Sequence, residues 1–206
     1  MSETEMWLQW AVELQAIAQS GLFYGKDVFD LERYKRIRDI SAEMIHHKTE
    51  IPTEKVKNLF CNETGYQTPK IDTRAAVFKD GKILLVHENN GTWSLPGGWC
   101  DVDLSVEENT VKEVKEESGY DVHVKRVIAV QDREKHNSPV YAYKICKIFM
   151  ECEITGGSFA KNAETTDCDF FALNELPGLA LEKNNTEQIE MCFRAMRSEK
   201  WEAMFD

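Results

Sequence analysis

The sequence predicts an α/β protein: a mixed β-sheet with helices packed against it, preceded by a small N-terminal helical extension. Three observations carry this. The first 60 residues keep helical spacing of their apolar positions, and the period changes after a linker-like stretch, NETGYQTPK, at 62–70. Strand-like and helix-like segments then alternate between Gly- and Pro-containing turns. The 206 residues, 23.8 kDa, suffice for one well-cored domain plus an appendage. The expected division is a helical extension over 1–62 and a second domain over 68–206.

The elements follow in chain order. Ser2 with Glu5 resembles a capping box, and Trp7, Leu8, Val12, Leu14, Ile17 and Ala18 continue a helix up to Gly21. A second helix opens near Asp30 and carries Leu31, Tyr34, Ile37, Ile40 and Met44 on one stripe. Pro52 suits the first turn of a short third helix with Val56, Leu59 and Phe60. So small a unit leaves its apolar stripes to be covered by the rest of the chain or by a second copy, and a homodimer is expected, with part of the substrate rim as a further role for these helices.

Next, DTRAAVFK and KILLVHE flank Asp80-Gly81, a hairpin signal. A loop through Trp93 and Pro96-Gly97-Gly98 leads to a helix over about 105–118, opened by the Ser105/Glu108 capping-box pair and closed by Gly119. Strands are expected around 121–131, 140–154 and 168–172, and a last helix near 185–198 carries Ile189, Cys192, Phe193 and Met196.

Composition excludes several classes. Twenty-five Lys and Arg against 36 Asp and Glu give a formal charge of -11, which argues against a surface that blankets nucleic-acid phosphates. No apolar run reaches the roughly 20 residues of a membrane span, and MSETEMWLQW lacks the pattern of a signal peptide. Six scattered cysteines show no CxxC pair, as expected of reduced thiols in a cytoplasmic protein.

The chemistry concentrates in GGWCDVDLSVEENTVKEVKEESGY, residues 97–120. At about 100° per residue, Glu113, Glu116 and Glu117 share one sector of a helix roughly 100° wide. Taken alone such a run is usually a solvated acidic face. Here a Gly-Gly loop after a proline enters the helix, so backbone comes close to whatever the carboxylates hold, and clustered oxygen donors suit a hard divalent cation.

This segment resembles the signature box of the Nudix hydrolases, G-x5-E-x7-R-E-U-x-E-E-x-G-U, where U is apolar. It supplies Gly98, Glu113, Val114, Glu116, Glu117, Gly119 and Tyr120 at the family's spacing, with Leu104 in place of the box Glu and Lys112 in place of the box Arg. The N-terminal stretches GKDVFDLERY and KVKNLFCNETGYQTPKIDTRAAVF are similar to a subgroup that cleaves nucleoside diphosphates linked to a further group X. The resemblance implies a Nudix-type α/β/α sandwich, dependence on Mg²⁺ with Mn²⁺ as substitute, and diphosphate hydrolysis. It places CDP-choline first, yielding CMP and phosphocholine, and ADP-ribose second. A Nudix-like module that binds a nucleotide without hydrolysing it is the alternative, as is hydrolysis of nucleoside triphosphates or RNA 5′ ends.

Roles follow from that likeness. Glu113 and Glu117 are expected to hold metal, with Glu116 a third ligand and the carbonyl of Gly97 completing the set. The proton acceptor for the attacking water is either a box carboxylate such as Glu116 or the loop acid Glu164, for which solvation is an equal reading. Arg74 either binds a substrate phosphate or pairs with an acid at a strand end. Trp99 either stacks on a base, or covers a quaternary ammonium, or packs in the core. The DREKHN loop at 132–137 offers Arg133, Lys135 and His136 to a substrate, or is simply a charged surface loop. The Leu104/Lys112 exchange removes an acid and weakens a base together, which avoids a stranded charge.

Overall fold

Two long helices begin the chain, α1 (Glu3–Tyr24) and α2 (Val28–Thr49), followed by the shorter α3 (Thr53–Phe60). The structure, a computed structural model, describes residues 3–159 and 165–206. Ser2 therefore lies outside the described residues. Gly21 does not end α1. A Cβ there would lie 2.4 Å from the Tyr34 ring, so the missing side chain is what lets α1 and α2 approach each other. The second helix starts earlier than Asp30, because the Asp27 carboxylate accepts from the N–H groups of Phe29 and Asp30, each at 3.0 Å. Pro52 stands at the N-cap of α3, one position outside its first turn.

The helical unit has a small core of Ala11, Ala42, Ile45, Val56 and Phe60, with Trp7, Leu8 and Val12 against it. Much apolar surface stays uncovered within the chain: Trp10, Ile17, Phe23, Tyr24, Val28 and Phe29 are 49–64% exposed.

The rest of the chain builds a sheet. Strands β1 (Lys70–Lys79) and β2 (Lys82–His87) form the expected hairpin, with positive φ at both Asp80 (51°) and Gly81 (74°). Strand β3 (Trp93–Ser94) precedes the glycine loop, and α4 (Val106–Ser118) follows it. Next come β4 (Tyr120–Asp132), the one-turn α5 (Arg133–His136) and β5 (Ile145–Gly157). After β6 (Asp167–Phe171) come α6 (Thr186–Arg197) and β7 (Met204–Phe205). The sheet order among the described residues is β3-β2-β1-β5-β4-β7, with β6 on β2. The β1–β5 pairing is parallel and β4–β5 is antiparallel, so the sheet is mixed.

Alternation along β1 sends Ala75 and Val77 to one face and Ala76 to the other. Val114 of α4 packs on the first face, with Leu84, Met150 and Cys152. Ile189, Cys192 and Phe193 of α6 pack on the second, with Ile83, Leu85 and Phe149. The result is the expected α/β/α layering.

The expected strand over 140–154 begins only at Ile145. Residues 140–144 group instead with the helices: one compact unit is Met1–Pro69 with Val140–Lys144, the other Lys70–Pro139 with Ile145–Asp206. Likewise, 132–137 is not open loop, since Arg133–His136 form a helical turn capped by the Asp132 carboxylate.

Candidate active site

The capping box of α4 forms as the sequence predicts. Ser105 Oγ accepts from Glu108 N–H, the Glu108 carboxylate accepts from Ser105 N–H at 2.8 Å, and Gly119 closes the helix at φ 75°. With both ends fixed, the helix aims Glu113 and Glu117 at the glycine loop.

The loop itself is laced to β1. Ala75 N–H donates to Pro96 O (2.8 Å), Thr73 N–H to Gly98 O (2.9 Å) and Cys100 N–H to Ile71 O (3.0 Å). Gly97 sits at φ 145°, and a Cβ there would lie 1.9 Å from Thr73 O, so only glycine fits. Its N–H donates to Glu117 Oε2 at 2.8 Å. Gly98 leaves room for the Glu113 carboxylate, whose Oε2 would stand 3.0 Å from a Cβ. From the far side, Asn184 Oδ1 accepts from Leu95 N–H at 2.8 Å.

Burial dominates the electrostatics. It pushes Glu117, only 9% exposed, up to about 7 against the opposing pull of Arg74 and the Gly97 N–H. It raises Glu113 as well, against Lys112. Lys112 Nζ stands 3.0 Å from Asp101 Oδ2, 3.3 Å from Glu116 Oε2 and 3.5 Å from Glu113 Oε1, and these acids raise its pKa, Asp101 first. As the side chains stand, no three His, Cys, Asp or Glu groups among the described residues converge as a metal site. An ammonium nevertheless sits among three carboxylates there, two of them the expected ligands. The donors are all oxygen and a cation is already drawn to them, so the residues fit a hard divalent ion.

Arg74 is not a free phosphate ligand. It is 4% exposed and forks onto Asp72 (Nε–Oδ2 3.0 Å, Nη2–Oδ1 2.7 Å), with Nη1 donating to Leu95 O at 3.2 Å. The strand-end pairing with an acid is what forms. Lys147 Nζ also reaches Asp72 at 3.3 Å and donates to Lys183 O. Burial opposes the charge on Asp72, yet Arg74 and Lys147 together hold it below the usual carboxylate range.

Arg133 also departs from expectation. At 1% exposure its guanidinium donates to Pro139 O (2.7 Å), Glu134 Oε1 (3.1 Å) and Glu182 O (3.2 Å), so it is buried and braces the turn. His136 Nε2 lies 2.6 Å from Asp206 Oδ1. Trp99 is 47% exposed beside Gly98, so the core-packing reading falls away. Glu164 lies outside the described residues.

Sequence reasoning missed Asp72, Asp101, Asn109, Lys147 and Asn184. Their partners are 2 to 89 positions away, and a motif read along the chain carries no signal for most of them. Asn109 is buried and links two of these parts, donating to Thr73 Oγ1 at 2.9 Å and accepting from Asp101 N–H at 3.1 Å.

Comparison with known proteins accords with this geometry. Residues 5–60 match the family model described as a UDP-X-like, N-terminal oligomerisation domain, and residues 69–192 match that of the NUDIX domain. YjhB of Bacillus subtilis, provisionally named an ADP-ribose pyrophosphatase, is 44% identical over 201 residues, covering 97% of each chain. The crystal structure of an ADP-ribose pyrophosphatase from Streptococcus suis is 55% identical, with a TM-score of 0.64, covering 68% of this chain and 100% of that one. That of a UDP-X diphosphatase is 31% identical, with a TM-score of 0.64, covering 98% of this chain and 100% of that one.

Proposed function

The chain belongs to the Nudix hydrolase family, and on that premise we propose that it cleaves the diphosphate of a nucleoside diphosphate linked to a group X. The observation that carries this reading is the Gly97–Glu117 hydrogen bond. It joins the box helix to a backbone loop that only glycine can form, and the desolvated Glu117 carboxylate held there supports a site for diphosphate chemistry.

Glu113 and Glu117, with Glu116 and the Gly97 carbonyl, would hold Mg²⁺ or Mn²⁺. When bound, such an ion supplies charge neutralisation and alignment for the diphosphate oxygens. Water oxygen attacks one phosphorus, the bridging P–O bond breaks, and a carboxylate, Glu116 or Glu164, takes the water proton. Trp99 offers a ring to a base, or to the cationic end of X. Arg74, joined to Asp72, supports the glycine loop from behind through its bond to Leu95 O.

The names of two similar proteins, YjhB and the Streptococcus suis enzyme, support ADP-ribose ahead of CDP-choline as substrate. The uncovered Trp10, Ile17, Phe23 and Phe29, together with the N-terminal match, support a homodimer through the helical unit. No helix among the described residues is long and apolar enough to cross a membrane, and six free thiols suit the cytoplasm.

The deciding experiment incubates the protein and Mg²⁺ with ADP-ribose, CDP-choline, a UDP-sugar and a nucleoside triphosphate, and measures monophosphate release. Turnover of an X-linked diphosphate above the triphosphate is expected. Nucleotide binding with no turnover of any compound would favour the sensor module.

A further inference from the structure

Three acids share one ammonium at the N-terminal side of the carboxylate cluster. Lys112 has three N–H donors, and Asp101, Glu116 and Glu113 stand at 3.0, 3.3 and 3.5 Å from its Nζ. Two of these acids lie on α4 and belong to the cluster assigned above to the metal. The third does not. Asp101 lies in the loop before the helix, and its backbone is pinned at both ends: its N–H donates to Asn109 Oδ1 at 3.1 Å, and its carbonyl accepts from Leu104 N–H at 3.2 Å. Asn109 is in turn buried and tied to Thr73 on β1. The Asp101 carboxylate is thus offered from a fixed backbone and is half exposed, so holding a charge there costs little desolvation.

A divalent cation and an ammonium cannot use the same oxygens of Glu113 and Glu116 at once. Lys112 must then give up those two partners, and its four-carbon stem allows that. Resting on the metal-dependent reading above, we propose that Asp101 is a positioning residue: it holds the Lys112 ammonium off Glu113 and Glu116 while a divalent cation engages them. Asp101 also supplies the acid that position 104, a leucine here, does not. Without it, the only acids left to Lys112 among these three are the ones the cation needs. The amine then becomes a competitor lodged inside the site.

This yields effects of opposite sign and a test of coupling. The full chain is titrated with Mn²⁺ in the absence of substrate, free Mn²⁺ being read by its electron paramagnetic resonance signal. Asp101→Asn should weaken binding about threefold to tenfold, and Lys112→Met should leave it equal or tighten it up to about threefold. Asp101→Asn placed on Lys112→Met should change binding by less than about 1.5-fold, because the acid acts only through the amine. An equal loss from Asp101→Asn in both backgrounds would overturn the proposal, leaving Asp101 a plain acidic neighbour of the site. Wild-type protein that binds no Mn²⁺, or a Glu117→Gln variant that binds it undiminished, would overturn the metal reading itself and the proposal with it. Both altered side chains are at least one-third exposed, and circular dichroism of each variant confirms that folding is not the variable.

Discussion

Glu117 carries two opposed requirements in one side chain. Its burial is what fixes it against Gly97, and the same burial lifts its pKa to about 7. The folded, metal-free chain therefore holds this proton more tightly than the unfolded chain, and the glutamate's contribution to stability falls as pH rises from about 4.5 to about 7. Glu117→Gln keeps an oxygen for Gly97 and removes the charge. It should stabilise the metal-free protein at pH 8 by about 1–3 kcal/mol in urea denaturation, and lower the Mg²⁺-dependent rate by roughly 100-fold or more. Lys147 gives the opposite window. Burial first, then Arg74, pull it down from 10.5 to about 7 against the attraction of Asp72. Above pH 7 the unfolded chain binds the extra proton, so stability should climb by about 1 kcal/mol per pH unit between pH 7 and 9, a slope that Lys147→Met removes. The box carboxylates were legible in the sequence because their spacing is local. The buried Arg133 and the Asp72–Arg74–Lys147 group were not, since a charge in a loop or strand reads the same whether it faces water or a partner from a distant segment.

Among the elements, the glycine loop is the least replaceable. Gly97→Ala places a Cβ 1.9 Å from the Thr73 carbonyl, at a φ of 145°. It should cost about 3 kcal/mol or more of stability, read as a lowered thermal midpoint, and remove activity through the displaced Glu117 contact. Gly81→Ala is the control. Its φ of 74° is also left-handed, but nothing lies within 4 Å of the added carbon, so about 1 kcal/mol is expected. The caps of α4 could be read directly, because Ser105, Glu108 and Gly119 act within one turn of the helix. The stop at Gly21 misled for the complementary reason. That glycine answers to Tyr34 on another helix, and helix-breaking propensity of about 1 kcal/mol yields to such packing.

At the scale of the whole molecule, the helical unit has a small core and leaves Trp10, Phe23, Tyr24 and Phe29 more than half exposed. Sedimentation velocity at micromolar concentration should give a dimer, and Phe29→Asp, altering a side chain 64% exposed in the single chain, should shift it to monomer with helicity retained. A monomeric wild-type protein would remove that reading. The grouping of residues 140–144 with the helices has a consequence for anyone who would cut the molecule apart. The backbone passes between the two units three times, at 69/70, 139/140 and 144/145, so no single peptide bond separates them. A truncation at residue 70 leaves Ala142, which packs in the helical unit's core, attached to the sheet-bearing half and stripped of its cover. The helices are woven into the chain's itinerary, and a graft that moves them to another enzyme must carry this five-residue stitch along.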